Sequence, residues 1–494
     1  MTLKMISTLL PKECIKEIFE SIYDDYKTLY SCLLVNRLFC KIAVPVLWRN
    51  TWYFGYDDHV IKSLSGTYFS CLTDESKELI KNNNNIDISP PTQHSPLFNY
   101  TEYCQYIYFQ QIQCMSRNYR SHVNSELLEE EFVKLFLTRC TKIVYLDFPY
   151  YPRYLRGIEN IFSSSSLSNL CELHCNTIMS SEIFVELSKT SHKIRRLYIN
   201  ICDDDIEGLA TLIKVQHELQ FVYLRSDDSQ GVLNERIGEA LAIQANTLMH
   251  VRFCGQICIP YNAFYSFTNL ERLELELFEE IDARLSVTAY FPKLKVLEIK
   301  YNKLTPFEVY TNLIGKTEGT LVRIYWNYIN IPSTTLSLRK YIQTVINNCP
   351  NLEFVTIWYH DSIINDLKQL LVSSLKLKGL KIAFYRTSDI SKLFNMLADK
   401  APLSLTILSL DDVNYYHESL LSVENLDELL KMWVDRPPLS LYIWSQLRHN
   451  PELLKVMDGY LTDDVLNDFD YLYSLDCVEV IRKSWEVEIP YGCI

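Results

Sequence analysis

Paired cysteines are missing from this 494-residue chain: its fifteen cysteines are scattered singly and include no C-x-x-C motif. The tightest spacings, Cys171/Cys175 and Cys254/Cys258, lack the second half-site that a zinc module needs. An odd count without a framework of spacings reads as reduced thiols that act mostly as small buried hydrophobes. Glycine is scarce too, at twelve residues, which disfavours backbone cradles for phosphate. No nucleophile elbow, phosphate loop, H-E-x-x-H or Gly-rich dinucleotide turn occurs. No window holds the roughly 18 uninterrupted apolar residues that span a bilayer. The opening MTLKMISTLL is too short for a signal-peptide core and meets Pro11, Lys12 and Glu13 at once. A cytoplasmic or nuclear chain is expected. Positive charge is in deficit, with 48 Lys and Arg against 61 Asp and Glu, a net of −13. Such a chain repels phosphate backbones and anionic lipid, so neither nucleic acid nor membrane is an expected partner.

What is present is repetition. From residue 143 onward an apolar residue followed by x-x-apolar-x-apolar recurs eleven times. The copies begin Ile143-Leu146-Phe148, Leu170-Leu173-Cys175, Ile194-Leu197-Ile199 and Leu219-Val222-Leu224. They continue Leu248-Val251-Phe253, Leu270-Leu273-Leu275, Leu294-Leu297-Ile299 and Leu321-Ile324-Trp326. Leu352-Val355-Ile357, Leu377-Leu380-Ile382 and Leu405-Leu408-Leu410 complete the series, with steps between 22 and 31 residues. That period is the one expected of leucine-rich repeats. Alternate side chains of a strand face opposite sides, so the second and third apolar residues point inward and the residue between them points out. Leu273 is then inward, and Glu274 is outward and solvated. Asn302 and Cys202 stand where a polar or thiol side chain can bond to the turn that leaves the strand.

Between strands, Ser181–Thr190, Glu235–Ala245 and Ser337–Asn347 place apolar residues at helical spacing. A strand-plus-helix unit cannot bury its own face, so neighbours must stack. The expected fold is therefore α/β: a three-helix module over 1–50, a connector over 51–131 with a loop at 82–96, an irregular solenoid over 132–438, and a C-terminal cap over 439–494. Parallel strands line the inside of the solenoid and helices the outside. Tyr100–Gln113 in the connector reads as helical, and Pro451–Phe469 reads as a helix pair that closes the open end.

The three-helix module follows from local signals. Pro11 suits a helix start. Ile15, Ile18, Phe19 and Ile22 form an apolar face. Asp24 or Asp25 can cap a second helix bearing Leu29, Cys32 and Leu33, and Asn36 a third bearing Phe39, Ile42 and Ala43. Pro45 is expected to close it. Some forty residues bury too little to stand alone, so such a module completes its core on a partner.

Leu10-Pro11, Glu13, Ile15, Ile18 and Phe19, then Cys32, Leu33, Val35, Asn36, Arg37, Cys40 and the closing Leu47-Trp48-Arg49, resemble the F-box family in order and spacing. Cys14 and Phe39 depart from its commonest form but stay apolar. The resemblance covers under a tenth of the chain. It implies docking to a Skp-type adaptor of a cullin–RING assembly through Leu10, Pro11, Ile15, Ile18, Phe19, Leu33, Val35 and Trp48. An F-box followed by leucine-rich repeats looks like the substrate-recognition subunit of an SCF ubiquitin ligase, a receptor that acts by proximity and catalyses nothing itself. The alternatives are a helical cap of the solenoid with no adaptor, or a plain interaction scaffold.

No catalytic residue, metal or cofactor is expected. His174 and His250 fall at outward strand positions and read as exposed polar residues. Asp203-Asp204-Asp205 reads as the cap of the next helix. The outward strand residues Arg196, Tyr198, Tyr223, Arg225, Arg252, Arg272, Tyr325 and Trp358 are the candidate target-binding set, since Tyr, Trp and Arg dominate interfaces. The arginines would form a basic ladder suited to acidic or phosphorylated segments. Solvated charges offset by nearby carboxylates are the plainer reading.

Overall fold

The computed structural model describes residues 10–55, 57–84, 96–117, 125–148, 155, 157–201, 207–226, 233–278, 284–300, 305–327, 334–384, 389–412, 420–445, 447 and 450–471. The chain divides into two compact units, residues 1–222 and 223–494.

The first unit opens on three helices, Lys12–Ser21 (α1), Tyr26–Leu33 (α2) and Arg37–Leu47 (α3). The Asp25 carboxylate accepts from the Thr28 N–H and caps α2, and Asn36 Oδ1 accepts from Leu38 and Phe39 and caps α3. Ile15 and Phe19 pack against Leu29, Ile42, Ala43, Val46 and Leu47. Pro45 does not end α3, which runs two residues further. Burial of Val44, Val46 and Leu47 outweighs the one backbone bond that a proline removes, and Trp48 N–H still reaches the Val44 carbonyl.

The connector is mostly helical: Asp58–Cys71 (α4), Asp74–Asn84 (α5), Tyr100–Tyr103 (α6), Phe109–Arg117 (α7) and Ser125–Arg139 (α8). Asn82–Asn84, expected in a loop, belong to the last turn of α5; residues 85–95 lie outside those described. Tyr100–Gln113 is not one helix, because the strand Tyr106–Tyr108 (β1) splits it. The Arg49 carbonyl accepts the N–H groups of Gln105 and Tyr106, which ties β1 to the end of the helical module. The repeat array thus starts one strand earlier than the pattern suggests. Tyr145–Asp147 (β2), Glu172–Asn176 (β3) and Arg196–Ile201 (β4) follow, each parallel to the one before. Ser181–Ser188 (α9) and Glu207–Lys214 (α10) pack side by side. Gly208 permits that approach: its N–H donates to Ser181 Oγ, and a Cβ there would collide with the Ser181 carbonyl.

Phe221–Ser226 (β5) straddles the division. In the second unit His250–Gly255 (β6), Arg272–Leu277 (β7), Val296–Lys300 (β8), Arg323–Asn327 (β9), Phe354–Tyr359 (β10), Gly379–Phe384 (β11) and Ile407–Asp412 (β12) stack in chain order, all parallel. Helices return between them, among them Glu235–Ile243, Thr335–Asn348, Ile390–Lys400 and Val423–Trp433. The expected C-terminal cap is instead a continuation: Leu439–Trp444 (β13) and Leu466–Tyr471 (β14) add two more parallel strands around the helix Pro451–Thr462. Where a repeat would lead with leucine, β13 is preceded by Arg436-Pro437-Pro438. By register with Leu405-Leu408-Leu410, the leading position of this repeat is Pro438, ahead of Leu441 and Ile443, while the Arg436 guanidinium just before it donates to the Ala398, Ala401 and Pro402 carbonyls and lies over the Trp433 ring.

All thirty-three apolar positions of the eleven copies are buried, none more than 6% exposed. Each contributes about 25 cal/mol per Å² of apolar area removed from water. Asn302, Cys202 and Asp203–Asp205 lie outside the described residues.

Candidate functional site

Two kinds of surface could meet a partner. The first is on the helical module. Among the described residues 21 large hydrophobic side chains are exposed, and six of them fall between residues 10 and 35: Leu10, Ile18, Tyr26, Tyr30, Leu34 and Val35. That is a high density of exposed apolar side chains for so short a module. Leu10, Pro11, Ile18 and Val35 are exposed, as the resemblance requires, and Leu33 is half-buried. Ile15 and Phe19 are not available for docking. They are 2% and 3% exposed, one turn apart on the side of α1 that faces α3, while Ile18 is turned away and 49% exposed. Trp48 is half-buried under the rings of Phe54, Tyr68 and Tyr100, so it fixes the module to the connector. Tyr30 and Leu34 were missed because their spacing falls off the apolar stripe that marks the module's own core. Beside them, Tyr30, Leu33, Val44, Trp48, Phe54 and Tyr100 line part of an open cleft of about 750 Å³.

The second surface is the side of the strands turned away from the inward leucines. In the second unit it is not the solvated basic ladder expected. Arg272 is 7% exposed, with Nε 2.8 Å from Glu274 and Nη2 2.9 Å from Glu298. Arg252 Nη2 lies 2.6 Å from Glu276, and its guanidinium covers the Tyr223 ring at 5.1 Å. Lys300 lies 3.0 Å from Glu298 and 3.6 Å from Glu274. His250, also expected exposed, is buried with Nε2 2.9 Å from Glu274. Burial drives the Glu274 carboxyl up, but the His250 hydrogen bond and the charges of Arg272 and Lys300 outweigh it and hold it well below the usual carboxylate range. Burial lowers the His250 imidazole, against the pull of Glu274. Long side chains on strands about 5 Å apart shield one another, which is why these outward positions are dry.

Tyr325 and Trp358, expected on the same exposed face, are buried as well. Tyr325 clusters with Phe354 and Tyr442, and the Lys381 ammonium lies 5.3 Å from its ring, itself paired with Asp411 at 2.9 Å. Trp358 packs against Phe307, Trp326 and Tyr341, two of which are helix residues. The alternation lapses there because the β9–β10 ladder does. Only Phe354 and Val355 pair regularly with β9, and the Trp326 N–H then donates to the Thr356 hydroxyl rather than to a carbonyl. Arg225 is exposed and Tyr223 half-buried.

In the first unit the same side is wetter and largely aromatic. Two rows cross it in register: Tyr106, Tyr145, Glu172 and Arg196, and beside them Tyr108, Asp147, His174 and Tyr198. All eight are half-buried. Their rings form a ladder: Tyr108 and Tyr145 at 4.6 Å, Tyr145 and His174 at 5.1 Å, His174 and Tyr198 at 3.9 Å. Glu172 binds His174 at 2.9 Å and Arg196 at 3.4 Å. Of this set, Arg196 and Tyr198 belong to the expected target-binding residues, and His174, expected outward and exposed, is half-buried against Tyr198. Tyr106, Tyr108 and Tyr145 carry no such signal, because Tyr100–Gln113 has helical spacing and the repeat pattern marks only the apolar positions around Leu146 in β2.

Eleven described cysteines carry free thiols, but Cys171 is disulfide-bonded, a correction to the expectation of reduced thiols throughout. Burial pushes the Cys258 and Cys349 thiols up to about 12, the opposite of an activated nucleophile. Among the described residues no group of three or more His, Cys, Asp or Glu is placed to hold a metal ion, and no helix is long and apolar enough to cross a membrane.

The fold defines an α/β repeat protein of the leucine-rich type, with parallel strands succeeding one another at the period of the buried triplets. No protein-family profile and no curated protein matches the chain. Among solved structures it is similar to the leucine-rich repeat-containing protein LegL7 from Legionella pneumophila, at 12% identity and a TM-score of 0.30, over 70% of this chain and 99% of that one. It is similar also to a protein from Bacteroides fragilis, at 15% identity and a TM-score of 0.30 over 46% of this chain, and spans 65% of that protein's length.

Proposed function

We propose that this chain is the substrate-recognition subunit of an SCF-type ubiquitin ligase. The helical module takes a Skp-type adaptor, and the repeats hold a target protein. The observation that carries the reading is the three-helix module itself. Its core is complete with Ile15, Phe19, Leu29 and Ile42, yet it leaves Leu10, Ile18, Leu34 and Val35 exposed beside the F-box-like Leu10-Pro11. Such a face is costly to keep wet and gains most of its value when covered. The ligase chemistry would belong to the assembly. This chain raises the local concentration of a target lysine near the charged conjugating enzyme.

The test is co-purification with a Skp-type adaptor. Alanine at both Leu10 and Pro11, or Ile18→Glu with Val35→Glu, should abolish capture while the circular dichroism of the repeats is unchanged. Capture undiminished in both variants would refute the assignment. It would favour the second reading, an interaction scaffold that works outside a ligase, since the repeats alone supply its binding surface.

A further inference from the structure

The two units treat their outward aromatic residues differently, and the difference points to a ligand. In the second unit the chain places a cation of its own over such rings and completes the cage with a carboxylate. The Arg252 guanidinium lies 5.1 Å from the Tyr223 ring and 2.6 Å from Glu276. The Lys381 ammonium lies 5.3 Å from the Tyr325 ring and 2.9 Å from Asp411. Each is a cation held between an aromatic face and an acid, the arrangement in which both attractions act on one charge.

The first unit presents the aromatic and acidic parts of that cage without the cation. Tyr145 is flanked by the rings of Tyr108 and His174. Asp147, two residues along the same strand and in register with both Tyr108 and His174, shares the face with Tyr145. Among the described residues no ion pair engages the Asp147 carboxylate and no Lys or Arg lies over the Tyr145 ring, whereas Glu172 is already taken by His174 and Arg196. Partial burial raises the Asp147 carboxyl above its usual range, with His174 opposing and Glu172 adding to the shift. A carboxylate so placed gains from an arriving positive charge. The formal balance of the face, two carboxylates against the one guanidinium of Arg196, agrees in sign with the chain's net charge of −13.

We infer that the face built by Tyr108, Tyr145, Asp147, His174 and Tyr198 grips a lysine- or arginine-bearing segment of the target protein, seating the cation against Asp147 at the margin of these rings. The inference rests on the reading that the repeats hold the target, and it reverses the acidic target that the arginine ladder alone suggested. Arg252 and Arg272 of the second unit are occupied by glutamates. The aromatic and acidic positions around Tyr145 and Asp147 lie on the first unit and attract the opposite charge.

The experiment uses the full chain and a fluorescein-labelled nonapeptide that alternates arginine and glycine, followed by anisotropy at physiological salt. Two further peptides replace arginine with citrulline, which keeps the shape and removes the charge, or with glutamate. The arginine peptide should bind, the citrulline peptide should bind at least tenfold more weakly, and the glutamate peptide should not bind. Tyr145→Leu and Asp147→Asn should each weaken arginine-peptide binding roughly five- to tenfold. Asp435→Asn, which removes the same charge at an exposed position of the second unit, should leave it unchanged. Asp147→Asn is isosteric, so a folding defect in Tyr145→Leu would not spare the idea. If Asp147→Asn and Asp435→Asn behave alike, the peptide responds only to net charge and the inference fails. Adaptor capture measured on the same proteins separates the two proposals. Capture without peptide discrimination overturns this face alone, and discrimination without capture overturns the ligase reading alone.

Discussion

Replacing Glu274 gives the sharpest energetic test of the outward face. Strand alternation alone makes Glu274 a solvated neighbour of the core residue Leu273, and Glu274→Ala then costs roughly 0.5 kcal/mol or less. The structure says otherwise. The carboxylate is 2% exposed and touches four groups: His250 at 2.9 Å, Arg272 at 2.8 Å, and Arg252 and Lys300 at 3.6 Å each. Three cations, Arg252, Arg272 and Lys300, face three carboxylates, Glu274, Glu276 and Glu298. Removing one carboxylate leaves a net buried positive charge, and breaking a buried pair in this way costs about 3–5 kcal/mol. Leu273→Ala should cost about 2–5 kcal/mol by loss of packing. The two neighbours should therefore destabilise comparably. In urea, with a slope of roughly 2–3 kcal/mol per molar, Glu274→Ala should lower the midpoint of the second unit by about 1–2 M. Glu274→Gln, which keeps the shape, should show most of that shift. A loss below about 1 kcal/mol in both variants would mean the face is hydrated, and the network would then be no more than a set of surface pairs.

The same network gives a pH dependence. His250 has its folded value lowered from the usual 6.5, so the unfolded chain takes up the proton first as pH falls; stability should decline below about pH 6.5, and His250→Gln should flatten that slope in urea titrations at a series of pH values. Lys381 and Asp411, 1% and 2% exposed at 2.9 Å, should behave as a unit: Lys381→Met alone costs about 3–5 kcal/mol, and adding Asp411→Leu recovers most of it, so additivity in a double-mutant cycle would contradict the buried pair. Gly208→Ala should destabilise by about 1–3 kcal/mol through its clash with Ser181. Gly459→Ala, in a helix with open space at the Cβ position, should stabilise by about 0.5–1 kcal/mol, and thermal melts that rank the two the other way would refute the packing of α9 on α10.

The inward half of each strand was legible from the sequence because it obeys one rule. Leucine-like residues at fixed offsets must be dry, and the thirty-three named are. The caps Asp25 and Asn36 were legible for a similar reason, since a side-chain oxygen before an apolar run has one local use. The outward half was not. Alternation says which way Glu274 or Tyr325 points but not whether that side is wet, and wetness depends on the length of the side chains on the neighbouring strands. Trp358 fails for a different cause: the hydroxyl of Thr356 replaces a ladder acceptor, and no pattern in FVTIWY announces it. β13 escaped because Pro438 stands where the pattern expects a leading leucine, ahead of Leu441 and Ile443. The adaptor-facing set was half legible. Ile18 and Val35 are exposed as required, but a period of three and four does not separate a face that docks from the adjoining face that fills the module's own core.

The buried charges across β6, β7 and β8 bear on how this array comes apart. Stacked repeats ordinarily interact only with their neighbours, and end modules fray one at a time. Here β6 brings one positive charge, β7 a net negative one, and β8 a balanced pair, so the sum is zero only when all three strands are seated. Peeling away β8 strips Arg272 and Glu274 of two partners at once. Detaching β6 leaves β7 with unbalanced carboxylates in a dry setting. Neither intermediate is tolerable, so the three modules must open together, as one block inside a structure whose geometry would otherwise allow piecemeal loosening. Amide exchange should report a single opening energy shared by His250–Gly255, Arg272–Leu277 and Val296–Lys300; three graded values would show that the modules open independently.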